Sequence, residues 1–410
     1  MEQLIGNAVV GQSGGPTSAI NATLSGVIRG VRQSGDVIPT LFGMQNGIEG
    51  LLKDNLIDLS PLQNDEEALS LLESTPAAAL GSCRYRLPDP GEKPEVFEQL
   101  ISVFRKHNIR YFFYIGGNDS MDAVAKLSAY VQKADYDIRI MGVPKTIDND
   151  LMGTDHTPGF GSAAKYIATT VKEMIRDCSV YRVKAVTIVE IMGRDAGWLT
   201  ASAALAGLHG KGPDLIYLPE RPFSDDSFLH RTKRLLENQS AVVVAVSEGI
   251  RYADGTYVGA GRQSGVKDTF GHCYLSGTGK VLEQLVKEKI GCKVRSVELN
   301  LPQRCAAHIA SATDIRESVA IGRFAVERAI SGVTAHMITL QRLTDEPYRV
   351  SLSSSPVAAI ANAVKQVPEC FINEEGNGVT EEGITYLKPL IIGECPTVFE
   401  DGMPKHFYFS

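Results

Sequence analysis

Aspartates 148 and 150 stand two positions apart in the run Lys145-Thr146-Ile147-Asp148-Asn149-Asp150, directly after Pro144. In an extended segment residues i and i+2 share a face, so both carboxylates can face one crevice. A carboxylate there can take the proton of an attacking hydroxyl or hold a divalent cation on phosphate oxygens. An Asx-turn would use the same residue types, so the pair gains meaning only from its company. That company includes two glycine-rich loops, Gly11-Gln12-Ser13-Gly14-Gly15 and Gly116-Gly117-Asn118-Asp119-Ser120. Glycines let backbone N–H groups wrap an anion, and the helix start that follows each loop adds favourable partial charge. Taken singly, either Gly-Gly pair could be no more than a tight strand-to-helix turn. Neither loop ends in the G-K-[ST] of a Walker A sequence, and neither has G-x-G-x-x-G spacing. Arg194 and Arg304 add guanidinium groups, which grip phosphate bidentately, although a lone arginine is more often a solvated surface residue.

These residues need a scaffold. Short β-branched or aromatic runs alternate with helical stretches, the pattern of βαβ units and a mainly parallel sheet. Strands are expected at 7–10, 37–41, 111–115, 138–143, 183–191, 215–218, 242–246 and 294–299, and helices at 18–32, 94–106, 120–132, 196–208 and 227–236. Phe97, Leu100, Ile101 and Phe104 repeat at the spacing of a helix lying on a sheet. The chemistry-bearing clusters fall just after strands: the two glycine loops, the segment from Lys145, Met192-Gly193-Arg194, and Ser247-Glu248-Gly249. In open α/β sheets ligands bind outside the carboxyl ends of strands, so the five clusters should converge. Residues 81–93 and 251–279 read as loop-rich, the second with seven glycines.

A chain of 410 residues exceeds one compact core and suggests two domains. The net charge of −7 and the lack of a basic stripe argue against a nucleic-acid partner. An anionic ligand must then be attracted by a local cluster of Arg and Lys. Apolar runs such as 241–246 are only strand length, so no membrane partner is expected. Seven cysteines without a C-x-x-C pair argue against a disulfide framework or structural zinc. No targeting segment is readable near Met1, and a reducing, cytoplasmic setting fits.

Over roughly residues 5–340 the chain resembles the phosphofructokinases. The matching motifs are S-G-G with Asn21 downstream, G-S-C-R ending at Arg84, G-G-N-D-S, T-I-D-N-D, I-M-G-R, the glutamate of S-E-G, and Q-R at Arg304. The resemblance implies two Rossmann-like three-layer α/β domains. Residues 1–159 with about 303–355 would bind the donor phosphates, and 160–302 with the C-terminal segment the sugar phosphate. It also implies phosphoryl transfer to the 1-hydroxyl of fructose 6-phosphate, Mg²⁺ as cofactor, and a homodimer or homotetramer. Asp148 resembles the general base, with Thr146 and Ile147 beside it at the transferring group. Met192, Gly193, Arg194 and Glu248 resemble sugar contacts, and Arg304 a sugar-phosphate anchor. Arg295 stands where a neighbouring subunit's arginine reaches the same phosphate. Gly14, Gly15, Gly117 and Arg84 resemble donor contacts.

Two positions speak to the donor. ATP-using members carry glycine where Asp119 and Lys145 stand, whereas pyrophosphate-dependent members carry this aspartate and lysine. A carboxylate at 119 repels an α-phosphate, and Lys145 adds a cation for the transferring or leaving phosphate. The reading is therefore reversible transfer from pyrophosphate, with an ATP-dependent 6-phosphofructokinase as alternative. A non-catalytic metabolite-binding relative is disfavoured by Asp148 in its full setting. A lipid or dinucleotide kinase with a G-G-D-G loop is disfavoured by the I-M-G-R and S-E-G clusters. The chain departs from the family at Asn118, an aspartate near Mg²⁺ in most members, at Leu301, usually a polar ring, and at Ala185, beside Lys184, usually an arginine.

Overall fold

The computed structural model describes residues 4–262, 277–360 and 363–409. Two sheets carry the site. The first has seven strands: β1 (Asn7–Gln12), β2 (Leu41–Met44), β3 (Leu56–Asp58), β4 (Ile109–Gly116), β5 (Arg139–Pro144), and, numbered after the second sheet, β10 (His336–Asp345) and β11 (Tyr348–Pro356). The second sheet has β6 (Ala185–Ile191), β7 (Leu215–Tyr217), β8 (Ala241–Ser247) and β9 (Lys293–Glu298). Their orders are β11-β10-β5-β4-β1-β2-β3 and β7-β8-β6-β9. The four-stranded sheet is wholly parallel. The larger one is parallel except where β3 and β11 run antiparallel at its edges.

Alternation along the strands builds three layers in each half. On one face of the large sheet Ala8, Val10, Tyr111, Phe113 and Ile115 pack with Leu24, Ile28 and Ile321 of the helices Ile20–Ser34 and Ala312–Ile330. On the other face Val9, Phe112 and Tyr114 meet Phe97, Leu100 and Phe104 of the helix Pro94–Lys106, at the spacing the sequence announces. Burying each such side chain contributes about 1.5–3 kcal/mol. In the small sheet Val189, Ile191, Val243 and Ala245 face the helix Phe160–Cys178, while Val186, Ile188 and Val244 face those at Asp225–Asn238 and Thr278–Lys289.

The helices Ile20–Ser34 and Ala312–Ile330 touch backbone to backbone. A Cβ on Gly26 would lie 2.2 Å from the Val319 carbonyl oxygen, and one on Gly322 would lie 2.2 Å from that of Thr23. The expected strand at 37–41 is displaced. Gly35–Val37 form a 3-10 turn and the strand begins at Leu41, because Pro39 has no N–H for a ladder and Ala8 pairs with Leu41. The expected helix at 196–208 is a short helix Trp198–Ser202 that tightens into a 3-10 turn at Ala203–Gly207. Of the glycine-rich stretch 251–279, residues 263–276 lie outside the described residues.

Candidate functional site

Both sheets change direction where the chemistry lies. In the large sheet the chain leaves β1 toward β2 and β3, then returns to β4 on the other side of β1. Such a switch point leaves a crevice outside the carboxyl ends, and here it receives both glycine loops. A cavity of about 480 Å³ opens there, and all five clusters border it. From the large sheet come Gly14, Gly15, Gly117, Asn118, Asp119 and Lys145 to Asp148. From the small sheet come Met192, Gly193, Arg194 and Glu248. Arg84, from the loop-rich 81–93 segment, and Arg304, on the short helix Pro302–Cys305, close the ring. Asp150, Tyr85 and Val364 also line it.

Lys145 is buried and ties the two glycine loops together. Its Nζ donates to the carbonyl oxygens of Ser13 at 2.8 Å and Gly15 at 2.7 Å, while its backbone N–H bonds Gly116. Burial pushes its pKa down to about 8, against the pull of Asp148. Arg304 feels the same site: burial and the neighbouring Arg84 both lower its pKa. Cations brought together against mutual repulsion favour an anion between them. The Nε of Arg194 is buried without a hydrogen-bond partner in the protein.

Asp148 is held by a local turn, its backbone N–H donating to Thr146 Oγ1 at 3.1 Å. The next residue, Asn149, takes a left-handed φ of 53°. Asp148 and Asp150 are half-buried, and desolvation raises the pKa of each; repulsion from Asp148 raises that of Asp150 further. The turn therefore serves the site: it presents two carboxylates whose desolvation the nearby Lys145, Arg194 and Lys365 offset only in part. Asn118 donates from Nδ2 to Asp150 Oδ2 at 3.1 Å, which leaves its buried Oδ1 without a hydrogen-bond partner. An orphaned neutral oxygen beside two partly compensated carboxylates is a donor set suited to a hard divalent cation. Among the described residues no group of three or more His, Cys, Asp or Glu could hold a metal. An ion here would thus lean on the phosphates of its substrate.

On the other wall, Gly193 takes a φ of 127°, and a Cβ there would sit 2.6 Å from the Ala196 carbonyl oxygen. Only glycine fits this bend without strain. Its N–H donates to Glu248 Oε1 at 3.2 Å and its carbonyl accepts from Ser247 Oγ at 2.5 Å, so the 192–194 turn and Glu248 form one unit. Burial pushes Glu248 up to about 7. Gln303, whose Oε1 accepts from the Met192 N–H at 3.2 Å, was missed by the sequence reading, although the Q-R motif marks it.

Not every expected residue reaches this cavity. Arg295 lies exposed on the edge strand β9, outside it, and so does Lys184 just before β6. Leu301 is 52% exposed and does not line it either.

The family profile described as Phosphofructokinase matches residues 7–329. The pyrophosphate–fructose 6-phosphate 1-phosphotransferase of Halomonas elongata is 43% identical over 97% of this chain and 95% of its own length. The protein of the same name from Methylococcus capsulatus is 41% identical over 98% and 95%. The crystal structure of the pyrophosphate-dependent phosphofructokinase from Marinobacter aquaeolei superimposes with a TM-score of 0.87 at 40% identity, covering 98% of this chain and 96% of that one. By fold, by motif order and by these likenesses, the chain belongs to the phosphofructokinase family.

Proposed function

We propose that the protein transfers a phosphoryl group reversibly between pyrophosphate and the 1-hydroxyl of fructose 6-phosphate, giving fructose 1,6-bisphosphate and phosphate. The observation that carries this reading is the buried Lys145, whose ammonium holds the first donor loop and whose backbone N–H bonds the second, in a cavity that also holds Asp148 and Asp119. The relatives named for pyrophosphate match at 41–43% identity over nearly the whole chain, which favours this donor over ATP.

In the forward direction Asp148 accepts the proton of the 1-hydroxyl as its oxygen bonds the transferring phosphorus. The bond from that phosphorus to the bridging oxygen of pyrophosphate breaks, and phosphate leaves. Backbone N–H groups at Gly15 and Gly117 hold the donor together with Arg84, and Gly14, whose N–H is spent on the Cys83 carbonyl oxygen, shapes the loop around it. Lys145 offsets charge on the leaving phosphate, with Thr146 and Ile147 alongside. Asp119 denies the space and potential that a nucleotide's α-phosphate needs. Met192, Gly193, Arg194 and Glu248 orient the sugar, and Arg304 anchors its 6-phosphate. Loose phosphoryl transition states demand little beyond positioning and charge stabilisation, and these residues supply both.

Mg²⁺ fits Asn118 Oδ1 and Asp150, and when bound it neutralises phosphate charge. We assign the donor to the half built from 1–159 with about 303–355 and the sugar to 160–302 with the C-terminal segment. Arg295, exposed on the edge strand β9, is assigned to the sugar-phosphate site of a neighbouring subunit, which makes the protein a homodimer or homotetramer. A coupled assay with pyrophosphate and ATP in parallel tests the reading. Turnover with pyrophosphate is expected, and turnover with ATP alone overturns it.

A further inference from the structure

The family match ends at residue 329, yet residues 363–367 run into the heart of the site. Val364 lines the cavity and forms an antiparallel bridge with Leu151, immediately after the two aspartates. Lys365 follows. Its backbone N–H donates to the Asp150 carbonyl oxygen at 2.8 Å. Its Nζ donates to the carbonyl oxygens of Asp155 at 2.6 Å and Thr154 at 3.3 Å, and to Asn149 Oδ1 at 3.3 Å. An ammonium has three protons, and all three are spent on one loop. Asn149 is the left-handed residue between the two aspartates, so Lys365 fixes both the middle and the far end of the segment that presents them.

The same few residues also hold the opposite wall. Trp198 Nε1 donates to the Lys365 carbonyl oxygen at 2.8 Å, and the lysine Nζ lies 5.0 Å from the centre of the indole ring. The Val367 N–H donates to Glu220 Oε1 at 2.9 Å, and that oxygen also accepts from Gly197 at 2.8 Å. Gly197 and Trp198 end the loop that begins with Met192, Gly193 and Arg194. One short segment thus ties the loop after β5 to the loop after β6. Desolvating an ammonium here is costly, and an apolar residue in its place would strand the carbonyls it satisfies.

The geometry points to Lys365 as a positioning residue that sets the Asp148–Asn149–Asp150 turn relative to the loop holding the sugar. This inference rests on the proposed phosphoryl transfer, because the readout is turnover.

The test compares the wild type with Lys365→Met and Lys365→Arg in the full chain, using whichever donor the wild type accepts. A failed donor assignment therefore leaves this test intact. Lys365→Met is expected to lower kcat at least 10-fold in both directions, with KM for the sugar phosphate within 3-fold. Amide hydrogen exchange should speed up over 148–157 and stay unchanged in β1 and β4. Lys365→Arg, which keeps the donors, is expected to recover at least a third of the lost kcat. A folded Lys365→Met enzyme with kcat within 2-fold of wild type overturns the inference. So does a loss of activity that only tracks a fraction of unfolded protein. If Lys365→Met does not fold, Trp198→Phe removes only the indole N–H held by the Lys365 carbonyl. A kcat reduction of about 3-fold with KM unchanged supports the assignment, and an unchanged kcat refutes it.

Discussion

Lys145 donates from Nζ to the carbonyl oxygen of Gly15 at 2.7 Å, joining the end of β5 to the loop after β1. With Ser13 as second acceptor, two of its three protons hold the first glycine loop, and one is left for a phosphate oxygen. Replacing Lys145 with methionine should cost about 10²–10³ in pyrophosphate-dependent kcat, the usual loss for a preorganised charge-stabilising donor. The double variant Asp119→Gly/Lys145→Gly should lose pyrophosphate activity altogether, with ATP turnover measured beside it. Undiminished pyrophosphate turnover in the double variant would falsify the donor roles.

Asp148→Asn keeps shape and removes the base. A drop of about 10²–10⁴ in kcat is expected for losing general-base catalysis, with KM values little changed. Steady-state kinetics in both directions decide the matter, since a variant turning over at the wild-type rate has kept its base.

Glu248 carries a pH signature. Burial raises its pKa to about 7 in the fold, so the folded state holds its proton more tightly than the unfolded chain does. Stability from this group is therefore complete below the ordinary carboxylate range and is lost as pH rises through about 7. Thermal melts of the unliganded protein between pH 5 and 8 should show this decline in the wild type, and Glu248→Gln should flatten it. The same variant should raise KM for fructose 6-phosphate about 10-fold or more, the value of a hydrogen bond to a charged group. Parallel pH profiles of the two proteins would count against the assignment.

His156 behaves in the same direction for a different reason. It is buried between Asp155 at 2.7 Å and Glu317 at 2.6 Å. Burial alone would lower its pKa, but hydrogen bonds to the two carboxylates outweigh it and raise it. Its contribution is complete below the unfolded value of about 6.5 and is lost as pH rises through the folded value. His156→Ala takes one partner from each of two half-buried carboxylates, Asp155 keeping Arg342 and Glu317 keeping Tyr348, and should cost about 3 kcal/mol, the low end for a broken buried pair. Chemical denaturation near pH 6 reads this directly, and a cost under about 1 kcal/mol would place the pair among weak surface ion pairs.

The site was legible in the sequence to the extent that its residues sit at carboxyl ends of apolar runs. Gly14, Gly117, Lys145, Asp148, Arg194 and Glu248 all follow such runs, and the cavity gathers them. Asn118 stood out only as a departure; its pairing with Asp150 and its orphaned oxygen needed coordinates. Lys365 gave no signal, because a single lysine in a loop reads as a solvated charge, and the acceptors of its Nζ lie more than 200 positions earlier. The strand at 37–41 was misplaced because β-branched content outweighed the missing donor of Pro39. The hairpin of β10 and β11 escaped notice for its polarity: β11 is rich in serine and half-exposed, so little hydrophobic alternation marks it.

The pairing of Val364 with Leu151 has a consequence for biosynthesis. Ribosomes deliver the glycine loops and both aspartates early, but the residues that pin the aspartate turn emerge more than 200 positions later. Domains fold as they are made, N-terminal parts first. A product terminated between residues 305 and 363 therefore carries the full set of phosphate-binding motifs around an unfastened turn. Such a fragment is expected to be inert in phosphoryl transfer from pyrophosphate.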